Sequence, residues 1–263
     1  MWSHCRHLDT ADIDACRHDG VWQQCRNATM VGYANALLAQ KALSRLARNN
    51  VSGAIVEVGV WKGGMSCYMA LSQQALGQRR HLWMFDTFEG MPPPGLEDGS
   101  RSSEAFREET IKGNGQWIKG ALDVVRHTME HTAGVPTGAV NYVEGKVEET
   151  LQNPTVRLPS KIALLRLDTD WYSSTKLELD VLWPRLQPGG WLYIDDYEAW
   201  EGARKAVDEW LYTHNWTLHA RAAGALPVRH KIGLHLWKAN PYDERRPFET
   251  SLVSMALGET VPQ

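Results

Sequence analysis

No stretch of this 263-residue chain comes near the ~20 consecutive apolar residues that a transmembrane helix needs. The opening stretch, Met1 to Asn27, is polar and carries His, Asp and Arg, so it lacks the apolar centre of a secretory signal. Neither sign of charge is in excess. A net charge of −3 gives no electrostatic case for nucleic acid or an anionic membrane as partner. Cysteine is scarce: Cys5, Cys16, Cys25 and Cys67 match no metal-ligand spacing. His4, His7 and His18 lie near the first three, but without a C-x-x-C pair a zinc site is not expected. These absences make a cytoplasmic protein with reduced thiols the expectation. Internal repeats and linkers are also missing, so residues 1–263 read as a single domain.

What the chain does have is two acidic clusters, Asp168-Thr169-Asp170 and Asp195-Asp196, each ending a short apolar run. The runs Ile162 to Leu167 and Trp191 to Ile194 have the pattern of buried parallel strands. Between them, Leu177, Val181, Leu182 and Leu186 fall on one face of a helix spanning Ser173 to Leu186, closed by Pro188-Gly189-Gly190. A strand–helix–strand crossover makes the two strands parallel and brings both clusters to one edge of the sheet, where open α/β sheets bind ligands. Aspartates also follow strands as caps and turn formers. Four together, however, repel and raise one another's pKa unless a cation sits among them, and an all-oxygen site suits a hard ion such as magnesium.

Upstream, Val31, Ala34, Leu37, Leu38, Ala42 and Leu46 are at helical spacing, so residues 1–50 read as an N-terminal helical region. A strand at Ala54 to Val58 runs into the turn Gly59-Val60-Trp61-Lys62-Gly63-Gly64, and a helix follows to about Ala75. A second strand, Leu82 to Phe85, ends at Asp86, and a third spans Val140 to Val143. The long segment between them, about 89–137, has a Pro-Pro-Pro turn and a charged middle, the pattern of a lid over a binding site. A helix from Glu201 to Tyr212 precedes strand-like segments at Trp216 to Ala220 and Gly233 to Trp237, which are expected to form an antiparallel edge hairpin. Residues 239–263 read as an extended tail. The predicted fold is therefore α/β and Rossmann-like, a mostly parallel sheet with helices on both faces.

The turn Glu57-x-Gly59-x-x-x-Gly63-Gly64 lets a ligand approach bare backbone, and Asp86 at the next strand end can accept from ribose hydroxyls. A dinucleotide site wants glycine where Trp61 stands, which weighs against a nicotinamide-dependent oxidoreductase. S-adenosylmethionine has no pyrophosphate to admit. Ser66, after the turn, suits either the methionine carboxylate or a helix start.

Val56-Glu57-Val58-Gly59-Val60-Trp61-Lys62-Gly63-Gly64, Phe85-Asp86-Thr87-Phe88-Glu89-Gly90-Met91-Pro92, Leu167-Asp168-Thr169-Asp170-Trp171-Tyr172-Ser173-Ser174-Thr175 and Asp195-Asp196-Tyr197, in that order, resemble the macrocin O-methyltransferase family. The resemblance implies a class I methyltransferase that uses S-adenosylmethionine and magnesium on a hydroxyl of a sugar in a small molecule. It implies Asp168, Asp195 and Asp196 as metal ligands and Asp170 as general base. Thr29, Met30, Glu57, Gly59 and Asp86 would serve the cofactor, and the protein would be a homo-oligomer. The family more often has Gly at Thr169 and Leu at Trp171. A phenolic or catechol acceptor is the rival to a sugar, and Arg221, Arg229 and His230 are candidates for the acceptor pocket.

Overall fold

Runs of aliphatic residues with no polar alternation form strands buried on both faces, as in the central strands of the five that pair in parallel here. The five are β1 (Ala54–Val58), β2 (Leu82–Asp86), β3 (Val140–Glu144), β4 (Ile162–Leu167) and β5 (Leu186–Ile194). The computed structural model describes residues 20–214, 234–238 and 248–250. Within them β6 (Leu234–Lys238) runs antiparallel to β5, and β7 (Phe248–Thr250) antiparallel to β6. The sheet order is β3-β2-β1-β4-β5-β6-β7. The expected hairpin partner at 216–220 lies outside the described residues, as do Cys5, Cys16, Arg221, Arg229 and His230. The tail contributes β7.

The helices are α1 (20–25), α2 (Tyr33–Arg48), α3 (Gly64–Ala75), α4 (Gly99–Lys112), α5 (Leu122–His127), α6 (Val147–Thr150), α7 (Tyr172–Leu182) and α8 (Glu201–Thr213). They divide between the two sheet faces as the period-2 geometry of strands requires. Ile55, Leu82, Met84 and Leu164 face α2, α3 and α5, meeting Leu43, Leu46, Met69 and Val125. Val56, Val58, Phe85 and Leu165 face α7 and α8, meeting Leu179, Leu182, Val207 and Trp210. Cys25 and Cys67 are buried in the first layer with their sulfurs 2.9 Å apart, which pushes the Cys67 thiol pKa up. No helix among the described residues is long and apolar enough to cross a membrane.

Three expectations are corrected. The helix after β4 stops at Leu182, not Leu186, because Pro184 lacks the N–H that the next turn needs; residues Trp183–Arg185 form a 3₁₀ turn and Leu186 opens β5. The buried face of α7 is Ser174, Thr175, Glu178, Leu179 and Leu182, with Leu177 and Val181 at its margin. The segment 89–137 is also not one lid. Val125, Met129, Ala133 and Val135 are core residues, so its second half belongs to the helical layer of the sheet. The first half, which contains α4, is closed at its base by a bond from the Met91 N–H to the Trp117 carbonyl at 2.8 Å.

Candidate active site

Strand order reverses between β1 and β4, the position at which the carboxyl ends of neighbouring strands lead away to opposite faces and leave a crevice. A cavity of about 420 Å³ opens there. Its floor is held by ladder bonds that continue past the strands: the Asp168 N–H donates to the Val58 carbonyl and the Asp195 N–H to the Leu167 carbonyl, each at 2.9 Å. Gly59 has a φ of +80°, and a Cβ on it would stand 2.0 Å from the Asp168 carbonyl oxygen. Close approach to protein backbone thus requires glycine here before any ligand is considered.

Asp168, Asp195 and Asp196 converge, each offering an oxygen within 4.8 Å of the others. Beneath them lies Arg166, wholly buried in β4. Its Nη1 donates to Glu57 Oε1 and to Asp168 Oδ2, each at 2.7 Å, and Nη2 pairs with Asp195 Oδ1 at 3.2 Å. Tyr193 donates its hydroxyl to the same Asp195 oxygen. One guanidinium does not balance this many carboxylates. Withdrawal from water raises the Asp168 carboxyl well above its ordinary range; Asp195 and Asp196 push the same way while Arg166 opposes them. Clustered, mutually repelling oxygens of this kind fit a hard divalent cation, which removes the repulsion that the arginine leaves.

Asp170 is at the cavity wall. It does not continue an extended strand beyond Asp168. A tight turn centred on Asp170, with φ +65°, is closed by the Trp171 N–H on the Thr169 carbonyl at 2.7 Å, and it swings the carboxylate round to the same cavity. Aspartate is one of the few non-glycine residues that tolerates the left-handed region, so the turn forms without glycine.

Thr29, Met30, Glu57, Gly59 and Asp86 all line the same cavity. Asp86 has a task already: its Oδ2 accepts from the N–H groups of Val60 at 2.7 Å and Trp61 at 3.1 Å, and Oδ1 from Phe88 at 2.8 Å. It therefore staples the glycine turn as well as facing the ligand space. Ser66 does not reach the wall. It is buried behind Glu57 and donates its hydroxyl to that carboxylate, so the expected bond to a methionine carboxylate is replaced by one that orients Glu57.

Four participants went unread in the sequence. Arg166 was legible in principle, since one charge inside a buried apolar strand demands acidic partners. Glu178 was hidden in a helix of mixed polarity, although it lies one turn from Leu182 on the buried face. Thr169 donates to its Oε1 at 2.9 Å, while Oε2 has no hydrogen-bond partner among the described residues. Trp117 and Trp200, also cavity-lining, gave no signal beyond their proximity to the long segment after β2 and to the second acidic cluster.

Burial pushes the Glu178 carboxyl up to about 8. The native state then keeps a proton that the unfolded chain has already lost, so this contribution to stability is complete below pH ~4.5 and disappears as pH rises through about 8. Glu178→Gln should flatten the fall in melting temperature between pH 5 and pH 8, gaining about 2–5 kcal/mol over wild type at the upper end. Equal slopes for the two proteins would show that the carboxyl ionises normally.

Fold and site together define a class I O-methyltransferase that uses S-adenosylmethionine. Residues 4–221 match the macrocin-O-methyltransferase (TylF) family, and the chain belongs to it. Over 184 residues it is 37% identical to the 8-demethyl-8-(2,3-dimethoxy-alpha-L-rhamnosyl)-tetracenomycin-C 4'-O-methyltransferase of Streptomyces olivaceus, covering 69% of this chain and 67% of that protein. It is 29% identical over 205 residues to the demethyldecarbamoylnovobiocin O-methyltransferase of Streptomyces niveus, covering 78% and 75%. Among solved structures, the O-methyltransferase NovP superposes with a TM-score of 0.64 at 25% identity, covering 81% of this chain and 83% of that one.

Proposed function

We propose that this protein methylates a hydroxyl of a sugar already attached to a small molecule, with a divalent cation, magnesium by preference, on Asp168, Asp195 and Asp196. The observation that carries this reading is the convergence of those three carboxylates beside Asp170 in the cavity that Thr29, Glu57, Gly59 and Asp86 also line. An aliphatic hydroxyl is a poor nucleophile at neutral pH. When bound, S-adenosylmethionine supplies a methyl group already activated by its sulfonium. Magnesium, when bound, supplies positive charge that acidifies and orients the acceptor hydroxyl. Asp170 takes the hydroxyl proton, while Glu57 and Asp86 hold the cofactor wall in place. Residues 89–121, the half of the long segment outside the core, act as the lid that keeps water away.

Charge supports an uncharged glycoside over a nucleotide-activated sugar. Seven carboxylates line the cavity against two cationic side chains, Lys146 and Arg166, and the arginine is committed to acids. A diphosphate would find no uncommitted cationic side chain here besides Lys146. Methylation therefore follows glycosyl transfer.

Calorimetry should show binding of S-adenosylhomocysteine and none of NAD. Glycosylated acceptors should be methylated in a magnesium-supplemented screen and left unmodified under excess chelator. Tight NAD binding without the adenosyl ligand would overturn the cofactor assignment, and full turnover in chelator the metal. Turnover of phenols alone would move the acceptor to the catechol class.

A further inference from the structure

Trp117, Trp171 and Trp200 belong to neither side of the hydrophobic core. They come from three separate segments and meet at the cavity. Their ring centroids are 6.0 Å apart for Trp117 and Trp171, 6.2 Å for Trp117 and Trp200, and 5.4 Å for Trp171 and Trp200, with interplanar angles from 48° to 81°. Phe106 also packs edge-on at Trp117, with centroids 6.1 Å apart, and the Arg101 guanidinium lies 5.4 Å from the Trp200 centroid, yet both outer indoles still border the cavity. Trp171 is the buried wedge, its Nε1 donating to the Pro92 carbonyl at 2.9 Å. Trp117 and Trp200 are half-buried and line the cavity.

Their distance from the chemistry is fixed by the backbone. Trp171 follows Asp170 directly, and the Trp200 N–H donates to the Asp196 carbonyl at 3.0 Å. An acceptor whose hydroxyl lies among the aspartates must therefore place its adjoining ring within reach of these indoles. The cofactor wall, with Gly59 and Asp86, is on other strands.

We infer that Trp117 and Trp200 form the acceptor's docking wall, packing against the C–H face of an uncharged pyranose ring, and that Trp171 is a positioning residue that holds the pair together. The inference rests on the sugar-acceptor reading above and adds the residues that select for it. An indole face gains contact with a C–H-rich surface while the ring's hydroxyls point sideways to carboxylates such as Glu148. The indoles carry no net charge of their own and offer nothing that would pair with an anionic acceptor, in keeping with a neutral glycoside.

The test uses the full chain with magnesium, S-adenosylmethionine and p-nitrophenyl α-L-rhamnopyranoside as acceptor probe. Trp200→Leu and Trp117→Leu should each raise the KM for the glycoside about tenfold or more, with kcat changed less than threefold. Trp200→Phe should fall between wild type and Trp200→Leu. The Kd for S-adenosylhomocysteine should stay within twofold of wild type in all three. An unchanged glycoside KM, or a loss confined to S-adenosylhomocysteine affinity and melting temperature, would mean that the cluster only braces the lid. If wild type binds S-adenosylhomocysteine but methylates no glycoside at all, the acceptor reading itself falls, and the docking wall with it.

Discussion

Asp170→Asn is expected to lower turnover by about 10²–10⁴-fold while leaving metal affinity close to wild type. The substitution suits the question because Asn, like Asp, tolerates the left-handed backbone that the turn demands at φ +65°. It keeps the side chain's shape and removes only the capacity to hold a proton. Asp170→Ala would mix the chemistry with backbone strain. Asp195→Ala and Asp196→Ala should behave differently, losing magnesium or manganese binding in calorimetry together with activity, because their oxygens belong to the converging set. The pair of outcomes separates base from ligand. Near-normal turnover in Asp170→Asn, or loss of metal binding in it, would sink the assignment.

The strands and the edge at which the site forms were legible because they follow from simple rules. Fully buried parallel strands read as unbroken aliphatic runs, and β1, β2 and β4 fall where those runs are. The acidic clusters were legible for a related reason, as charges immediately after such runs emerge at the ligand edge. Sequence reasoning failed where local geometry departs from the regular period. An extended continuation would have put Asp168 and Asp170 on one side of a strand, whereas the turn at Asp170 achieves the same convergence by reversing the chain. Asp86 and Ser66 have the residue types that bind ligands, but the backbone N–H groups that Asp86 holds and the Glu57 carboxylate that Ser66 bonds could not be read from residue type. Which partner a polar group finds is a property of tertiary contacts tens of residues apart, and residue type alone is silent on it. The segment 89–137 was read as one unit for the same reason. Its charged middle is α4, but Val125, Met129 and Val135 further along join the core, and six residues of helix are too few for a clear period.

Removing the buried cation should be the most damaging single change to stability. Arg166 is fully buried and within hydrogen-bond or ion-pair distance of Glu57, Asp168 and Asp195. Taking away one partner of a buried ionic set leaves uncompensated charge, at a cost of about 3–5 kcal/mol. For a chain of this size that corresponds to a fall of roughly 6–20 °C in melting temperature for Arg166→Leu. The deficit has a pH signature. Without the guanidinium the carboxyls' folded pKa values rise further, so the stability they contribute when protonated is lost as pH increases, and the deficit should be larger at pH 8 than at pH 5. Arg166→Lys should recover part of it, since a point charge cannot fork to three carboxylates at once. Magnesium should also stabilise the Leu variant more than wild type if cation and arginine share the work of neutralising the cluster, provided the site still forms. A melting temperature for Arg166→Leu within about 2 °C of wild type at pH 8 would show that the acids around Arg166 are held neutral by other means.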